Sequence, residues 1–169
     1  MASKTAANAK HATHGFGPLY DAESEILILG SFPSVKSREQ NFFYGHPQNR
    51  FWAILAQIYD VSPLFSLEDK RSFCFAHHIA LYDSIEECDI LGSSDASIKN
   101  IVPADLSPIF KACRIKKIVC NGNKAHELFV KFQNPPEGVE VHLAPSTSPA
   151  NAAWSTERLL ATWKEILQK

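Results

Sequence analysis

The feature that most constrains the fold is a pair of short apolar runs that each end at a turn-forming residue. Residues 25–30 contain Ile-Leu-Ile-Leu before a glycine, and residues 117–121 contain Ile-Val-Cys before an asparagine. A strand with one face in water alternates apolar and polar residues, so an unbroken apolar run indicates a strand buried on both faces, as in a parallel sheet. We interpret residues 139–143 as a third strand of this kind and residues 79–82 as a shorter one.

Helical segments are predicted between these strands. Apolar residues recur at helical spacing over 51–59, and further helices are predicted at 67–77, 105–112, 124–132 and 155–167. The polar segments 31–50 and 86–103 are interpreted as loops. Strands that alternate with helices predict an α/β fold: a three-layer α/β/α sandwich around a central, mostly parallel sheet of about four strands.

The length of the chain predicts one domain and a short tail. The 169 residues correspond to about one domain at ~150 residues per domain, which we assign to residues 15–169. Residues 1–14 are rich in Ala, Lys, Thr and His and lack the apolar segment of a secretory signal, so we expect a disordered tail. We expect a cytoplasmic protein, associated with the nucleoid if bacterial, and leave a nuclear or organellar location open.

Charge and cysteine content limit the possible partners. Lys plus Arg is 17 and Asp plus Glu is 18, giving a net charge of −1, so any phosphate binding must be local rather than spread over a basic surface. No apolar run approaches the roughly 18 residues of a membrane span. The four cysteines contain no CxxC pair, which gives little support for a zinc or iron–sulfur site. Cys74 and Cys120 are predicted to be buried thiols.

Parallel sheets bind ligands at the carboxyl ends of their strands. The loops after Leu29, Tyr82, Cys120 and Leu143 are therefore the predicted functional edge. Two of these loops, 30–52 and 144–151, combine small hydroxyl residues with glycine or proline, and free backbone N–H groups in such loops can approach a phosphate closely.

The first loop also contains an aromatic ring, a histidine and an amide, which are the groups needed to stack on a base and read its edge. The alternatives are structural. Ser/Pro/Gly loops are commonly turns, His46 could bond a backbone carbonyl, and Asn49 fits the N-cap of the following helix. Asp83, which ends a strand at the same edge, could orient a water or a base amine, or have an N-cap or turn role.

Three motifs resemble a known family. They are Gly-Ser-Phe-Pro-Ser at 30–34, Tyr-Gly-His-Pro-Gln-Asn-Arg-Phe-Trp at 44–52 and Pro-Ser-Thr-Ser-Pro-Ala-Asn at 145–151. In this order they are similar to the uracil-DNA glycosylase superfamily, and within it to the hypoxanthine-DNA (deoxyinosine) glycosylase family. The resemblance implies a monofunctional glycosylase that flips a deaminated base out of DNA and hydrolyses its N-glycosidic bond, without a cofactor. The implied partner is double- or single-stranded DNA containing a deaminated base; we expect a monomer and no membrane partner.

The sequence departs from the superfamily pattern at two positions. Many members carry an Asn or Asp in the first loop to position the attacking water, whereas Phe32 and its neighbours stand here. The second loop often begins with His or Asn, whereas Ala144 stands here. In the hypoxanthine family the Asn of the second motif, Asn49, is implied to take over.

On this basis Asn49 and the backbone N–H groups of Ser31 and Phe32 are the predicted catalytic groups. Tyr44 is predicted to stack on the base, and His46 and Asp83 to bind it. Thr147 to Ala150 are expected to enter the minor groove, without a Leu or Phe wedge. The predicted DNA-binding residues are Ser34, Lys36, Ser37, Asn123, Lys124, Ser146, Thr147 and Ser148. The alternatives are a mismatch-type uracil or thymine glycosylase and a non-catalytic nucleic-acid-binding module on the same fold.

Overall fold

The computed structural model describes residues 9–168. The strands of this part of the chain are β1 (Lys10–Thr13), β2 (Ile26–Gly30), β3 (Ile79–Asp83), β4 (Ile85–Ile90), β5 (Lys99–Pro103), β6 (Lys117–Asn121) and β7 (Glu140–Ala144). The α-helices are α1 (Val35–Gln40), α2 (Phe51–Ile58), α3 (Leu67–Ala76), α4 (Ser107–Ala112), α5 (Asn123–Phe132) and α6 (Thr156–Gln168). A short 3-10 turn covers Asp95–Ser97.

The central sheet has the strand order β3-β2-β6-β7, and every neighbouring pair is parallel. Leu27, Ile28 and Leu29 of β2 have no exposed surface, and all of β6 is buried. Helices flank the sheet, and Phe51 of α2 meets Trp163 of α6 edge to face in the core. The predicted α/β sandwich with a four-stranded parallel sheet is therefore confirmed.

One strand of this sheet differs from its interpretation. β7 lies at the edge of the sheet and is only partly buried, with Leu143 46% exposed. The interpretation of 139–143 as a strand buried on both faces was wrong, because β7 lies at the edge of the sheet, where Glu140 and Leu143, on opposite faces of the strand, are both exposed.

A second sheet occupies the segment that was interpreted as a loop over 86–103. β4 pairs antiparallel with both β1 and β5. Ile85, Cys88 and Ile90 of β4 pack in a small apolar cluster with Phe32 and with Leu128 of α5. The loop interpretation was wrong because register irregularities between β4 and β5 disturb the alternation of apolar and polar residues that would indicate strands.

The predicted tail also belongs to this second sheet. β1 pairs with β4 from Lys10 opposite Ile90 to Thr13 opposite Glu87, and His14 is fully buried. The disordered-tail prediction is thus wrong for residues 10–14, and residues 1–8 lie outside the described part of the chain. Composition could not indicate this strand, since it is held by backbone hydrogen bonds and its own side chains are mostly exposed.

The loop predicted at 31–50 contains the short helix α1, capped by Ser34, whose side chain accepts a hydrogen bond from the Ser37 N–H. All four cysteines are buried and free, including Cys74 and Cys120 as predicted. Between residues 9 and 168, no helix is long and apolar enough to cross a membrane. The same residues contain no group of three His, Cys, Asp or Glu side chains arranged to hold a metal ion.

Candidate active site

A cavity of about 1070 Å³ opens at the carboxyl ends of the central strands. Its wall includes the residues that end the four strands: Gly30, Asp83, Asn121 and Ala144. This is the edge at which the functional loops were predicted. A smaller cavity of about 640 Å³ lies among residues 110–116 and 136–139, and none of the predicted site residues lines it.

Asn49 lies just before α2 and uses its side-chain oxygen twice. Oδ1 accepts hydrogen bonds from the Phe51 N–H and from the Thr147 hydroxyl, both at 2.9 Å. Because a backbone N–H can only donate, the atom that faces it is the amide oxygen. The amide nitrogen has no acceptor among residues 9–168, and Asn49 lines the cavity. α2 begins at Phe51 with Arg50 as its N-cap, so the Asn49 oxygen closes a turn just before the helix and does not cap it, while the nitrogen is free to donate to a ligand.

Asn121 and Thr147 hold this amide in place. Asn121 Nδ2 donates to Thr147 Oγ1 at 3.0 Å, and the Thr147 N–H donates to Asn121 Oδ1 at 3.0 Å. The Thr147 hydroxyl then donates onward to Asn49. Thr147 is 1% exposed, so the prediction that its side chain contacts DNA is wrong: its polar groups join the two loops instead. Asn121 was not predicted as a site residue because its sequence position shows only the end of a strand.

Tyr44 is half-buried beside the cavity, and its ring stacks on Phe51 with centroids 3.9 Å apart. Its backbone has a left-handed φ of 54°, an unfavourable conformation for a bulky residue that is often found at binding sites. The hydroxyl is buried without a hydrogen-bond partner within residues 9–168. Burial, and secondarily the nearby Asp83 carboxylate, raise the pKa of this phenol, so it remains a neutral donor.

Two backbone N–H groups that follow β2 are free to donate to a ligand. The N–H groups of Ser31 and Phe32 make no hydrogen bond to the described residues, although both residues line the cavity. The Phe32 side chain is 8% exposed and packs in the second apolar cluster. Of the two predicted catalytic residues in this loop, Phe32 thus offers its backbone rather than its ring.

Asp83 lies directly beside these donors. Its Oδ1 is so close to Gly30 that a Cβ built on that glycine would stand 2.4 Å away. Its other oxygen, Oδ2, accepts from Nε2 of the fully buried His14 at 2.7 Å. A carboxylate oxygen and backbone N–H donors therefore belong to the wall of one cavity, where β2 and β3 end side by side.

A second carboxylate, Asp95, reaches the cavity from the turn between β4 and β5. Ser31 Oγ donates to Asp95 Oδ1 at 2.8 Å. Loss of water raises the pKa of Asp95, against the lowering effects of the Ser31 hydroxyl and the Lys124 charge. From its sequence position, in a segment interpreted as a loop, Asp95 was a weaker candidate than Asp83 for orienting a water or a base amine.

His46 also lines the cavity. Its Nδ1 accepts from the Gln48 N–H at 3.1 Å, so a neutral ring carries its proton on Nε2. The cavity wall therefore includes all three predicted base-binding residues, Tyr44, His46 and Asp83.

The predicted DNA-binding residues differ in their exposure and in their position relative to the cavity. The cavity wall contains five accessible ones: Ser34, Asn123, Lys124, Ser146 and Ser148. Ser37 is 2% exposed and its hydroxyl accepts from the Gly45 N–H, so the prediction that it contacts DNA is wrong. Lys36 lies outside the cavity wall, on α1, where it pairs with Glu39 at 3.5 Å.

Arg50 joins the two loops and was not predicted. Its guanidinium donates to the backbone carbonyls of Ser148, Asn151 and Trp154, and its own N–H donates to the Thr147 carbonyl. A guanidinium presents its N–H donors from separate nitrogens in a rigid planar fork, whereas an ammonium presents all of its donors from one nitrogen. The loop at 145–154 is thereby fixed to the start of α2, next to Asn49.

Comparisons with known proteins agree with this arrangement. Residues 18–168 match the model of the "Uracil DNA glycosylase superfamily". A protein of Methanosarcina acetivorans named "Hypoxanthine DNA glycosylase" is 31% identical over 91% of this chain and 97% of its own, and one of the same name from Methanosarcina barkeri is 28% identical over 92% and 98%. The solution NMR structure of a candidate uracil DNA glycosylase from Methanosarcina acetivorans has a TM-score of 0.78 and 29% identity, covering 94% of this chain and 98% of its own.

Proposed function

Because the chain belongs to the uracil DNA glycosylase superfamily and is a DNA glycosylase, we propose that its target is deoxyinosine. In this proposal the enzyme flips the nucleotide out of DNA, hydrolyses the N-glycosidic bond, releases hypoxanthine and leaves an abasic site. It acts as a monofunctional enzyme, with water as the nucleophile and no covalent intermediate on the protein.

The observation that carries the proposal is the pairing of donors and an acceptor at the ends of β2 and β3. Hypoxanthine presents a carbonyl oxygen, O6, next to an N–H donor, N1. The free N–H groups of Ser31 and Phe32 match O6, and Asp83 Oδ1 matches the N1–H. Adenine presents the reverse pattern, an amino group next to a lone pair, and would leave the buried Asp83 oxygen facing that lone pair.

Asn49 is assigned to the departing base. Cleavage gives the sugar oxocarbenium character and places negative charge on the base, around the ring nitrogens distant from N1. Both lone pairs of Asn49 Oδ1 are already used, so the residue can act on the ligand only as a donor through Nδ2. A fixed donor at the site of developing charge lowers the barrier, because it needs no reorientation during the reaction.

Tyr44 is assigned to stacking. Its ring is supported on one face by Phe51, and the next residue, Gly45, donates its N–H to the Ser37 hydroxyl of α1. Around the cavity mouth, Ser34, Ser146 and Ser148 and the first turn of α5 provide small polar groups for the phosphates that flank the flipped nucleotide. Lys124 adds a positive charge there.

Uracil is the second candidate base, because its O4 and N3–H present the same donor–acceptor pair. The test uses two duplexes that differ only in the target base, deoxyinosine or deoxyuridine, under single-turnover conditions. We expect faster release of hypoxanthine, and strand breakage only after alkali treatment. Faster release of uracil would overturn the assignment of the base, and breakage without alkali would overturn the monofunctional mechanism.

A further inference from the structure

His14 lies outside the part of the chain that matches the superfamily model, which begins at residue 18. It follows β1 and is fully buried, with its N–H donating to the Glu86 carbonyl. Its ring Nε2 donates to Asp83 Oδ2 at 2.7 Å, a length typical of a strong hydrogen bond to a carboxylate. A segment outside the family match thus contacts Asp83, a residue of the cavity wall.

The imidazole is held by aromatic neighbours. Phe16 and Tyr82 lie with ring centroids 4.3 and 4.5 Å from that of His14, and Phe43 and Phe32 lie at 6.1 and 6.3 Å. Its Nδ1 is buried without a hydrogen-bond partner within residues 9–168. The hydrogen bond to Asp83 is therefore the one polar contact that the described side chains offer this ring, and its orientation is fixed by packing.

Asp83 in turn has this hydrogen bond to His14 as its one side-chain contact with a donor in the described part of the chain. It is 4% exposed. The His14 bond to Oδ2 determines how the carboxyl group is rotated, and so where Oδ1 stands relative to Gly30 and the free N–H groups beyond it. A carboxylate without this donor would be free to rotate out of line with a base.

We propose that His14 is a positioning residue for base excision: it orients the Asp83 carboxylate so that Oδ1 accepts the N–H of the flipped base. The inference rests on the proposed role of Asp83 in reading the base. It gives β1 a function, because pairing of β1 with β4 delivers His14 to the site.

The first test compares His14→Phe with His14→Gln. Phenylalanine fills the space and removes the donor, whereas the amide nitrogen of glutamine can replace Nε2 as a donor. We expect His14→Phe to lower the single-turnover excision rate by ~100-fold, the loss typical of a misplaced reacting group, with little change in DNA affinity. His14→Gln should recover most of the rate. Lys10→Ala is the control, since Lys10 is an exposed residue of β1.

The outcomes separate a failure of this inference from a failure of the proposed base. Excision at the wild-type rate by folded His14→Phe, or equal losses in folded His14→Phe and His14→Gln, would overturn the inference. Rates are measured on deoxyinosine and deoxyuridine duplexes, and the better substrate of the wild-type enzyme is used. A preference for uracil would overturn the proposed base while leaving this test in force.

A second measurement does not depend on the variants folding. The ring ¹⁵N resonances of His14 in the wild-type protein are followed on binding of a duplex that carries the 2′-fluoro analogue of the better substrate, whose glycosidic bond resists hydrolysis. We expect the His14 Nε2 resonance to shift, because Asp83 Oδ1 engages the base, and the His11 ring to be unaffected. An unchanged His14 ring in the saturated complex would contradict the proposal.

Discussion

At the scale of single residues, side chains of the site use one atom in a hydrogen bond within the protein and leave another atom free for a ligand. Asn49 closes the turn before α2 with its oxygen and leaves its nitrogen free, and Asp83 is held by His14 on one oxygen and leaves the other free. In each case the structural bond orients the free atom. Such side chains are pre-organised, because the protein fixes their rotamers before a ligand arrives.

Asn49→Asp separates the two functions of Asn49. Aspartate keeps an oxygen for the Phe51 N–H and the Thr147 hydroxyl, so the turn before α2 is retained, but it has no N–H to donate. We expect the single-turnover excision rate to fall at least ~100-fold, as in Asn49→Ala, with DNA affinity little changed and the thermal midpoint maintained in Asn49→Asp. Near-normal excision by Asn49→Asp would show that the residue acts on the water as an acceptor.

Gly30→Ala should damage the site by displacing Asp83. The added methyl group would stand 2.4 Å from Asp83 Oδ1 and 3.4 Å from the Tyr44 hydroxyl, so the carboxylate must move. We expect a loss of ~100-fold in excision, measured in single turnover. Gly17→Ala is the control, because nothing lies within 4 Å of its added methyl group. Equal activities of the two variants would contradict the assigned position of Asp83.

The sequence was sufficient to predict some of these residues and not others. Asn49 and Tyr44 lie in a motif within the loop that follows β2, so both could be placed at the site. His14, Asn121 and Arg50 could not, because their importance comes from contacts with residues 26 to 104 positions away. Thr147 and Ser37 were misassigned since a hydroxyl in a loop looks the same in sequence whether it faces solvent or closes a turn.

At the scale of elements, the parallel sheet carries the cavity and the antiparallel sheet completes it. The apolar runs of β2 and β6 indicated burial on both faces, and those strands were found as predicted. β1, β4 and β5 were missed because short strands with exposed faces and irregular pairing carry little periodic signal. The missed sheet supplies His14 and Asp95 to the site.

The attachment of β1 should depend on pH through His11. Hydrogen bonds to Glu87, and then to Asp89, raise the pKa of this exposed histidine above 6.5. A raised pKa in the folded state means that the stabilisation is complete below pH ~6.5 and is lost as pH rises through the folded-state pKa. We expect wild-type protein to unfold at a higher temperature than His11→Ala at pH ~6, and the difference to disappear at pH ~9. A difference that persists at the higher pH would contradict this origin.

Arg50→Lys should loosen the loop at 145–154. Lysine keeps the charge but cannot reach the carbonyls of Ser148, Asn151 and Trp154 together. We expect faster amide hydrogen exchange in this loop and an excision rate lower by ~10-fold or more, since Asn49 is bonded to the same loop. Arg114→Lys, on an exposed residue beside the smaller cavity, is the control. Unchanged exchange in Arg50→Lys would show that the loop is held by other contacts.

At the scale of the whole molecule, four parallel strands end at one edge and each contributes to a single cavity. β2 gives free N–H donors, β3 gives a carboxylate, β6 gives the amide that fixes Thr147, and the loop after β7 meets Asn49. This convergence follows from the parallel topology, and the strand pattern of the sequence was enough to predict it. The base that fits was not predictable from topology, because it depends on individual donor and acceptor atoms.

The most direct test of this account is the single-turnover excision rate on two duplexes that differ by one methyl group, one carrying deoxyinosine and the other 1-methyl-deoxyinosine. The methyl group removes the N1–H that Asp83 Oδ1 is proposed to accept and leaves O6 and the glycosidic bond in place. We predict rapid release of hypoxanthine from the first duplex and a rate at least ~100-fold lower from the second. Equal rates on the two duplexes would contradict the reading of the base by Asp83.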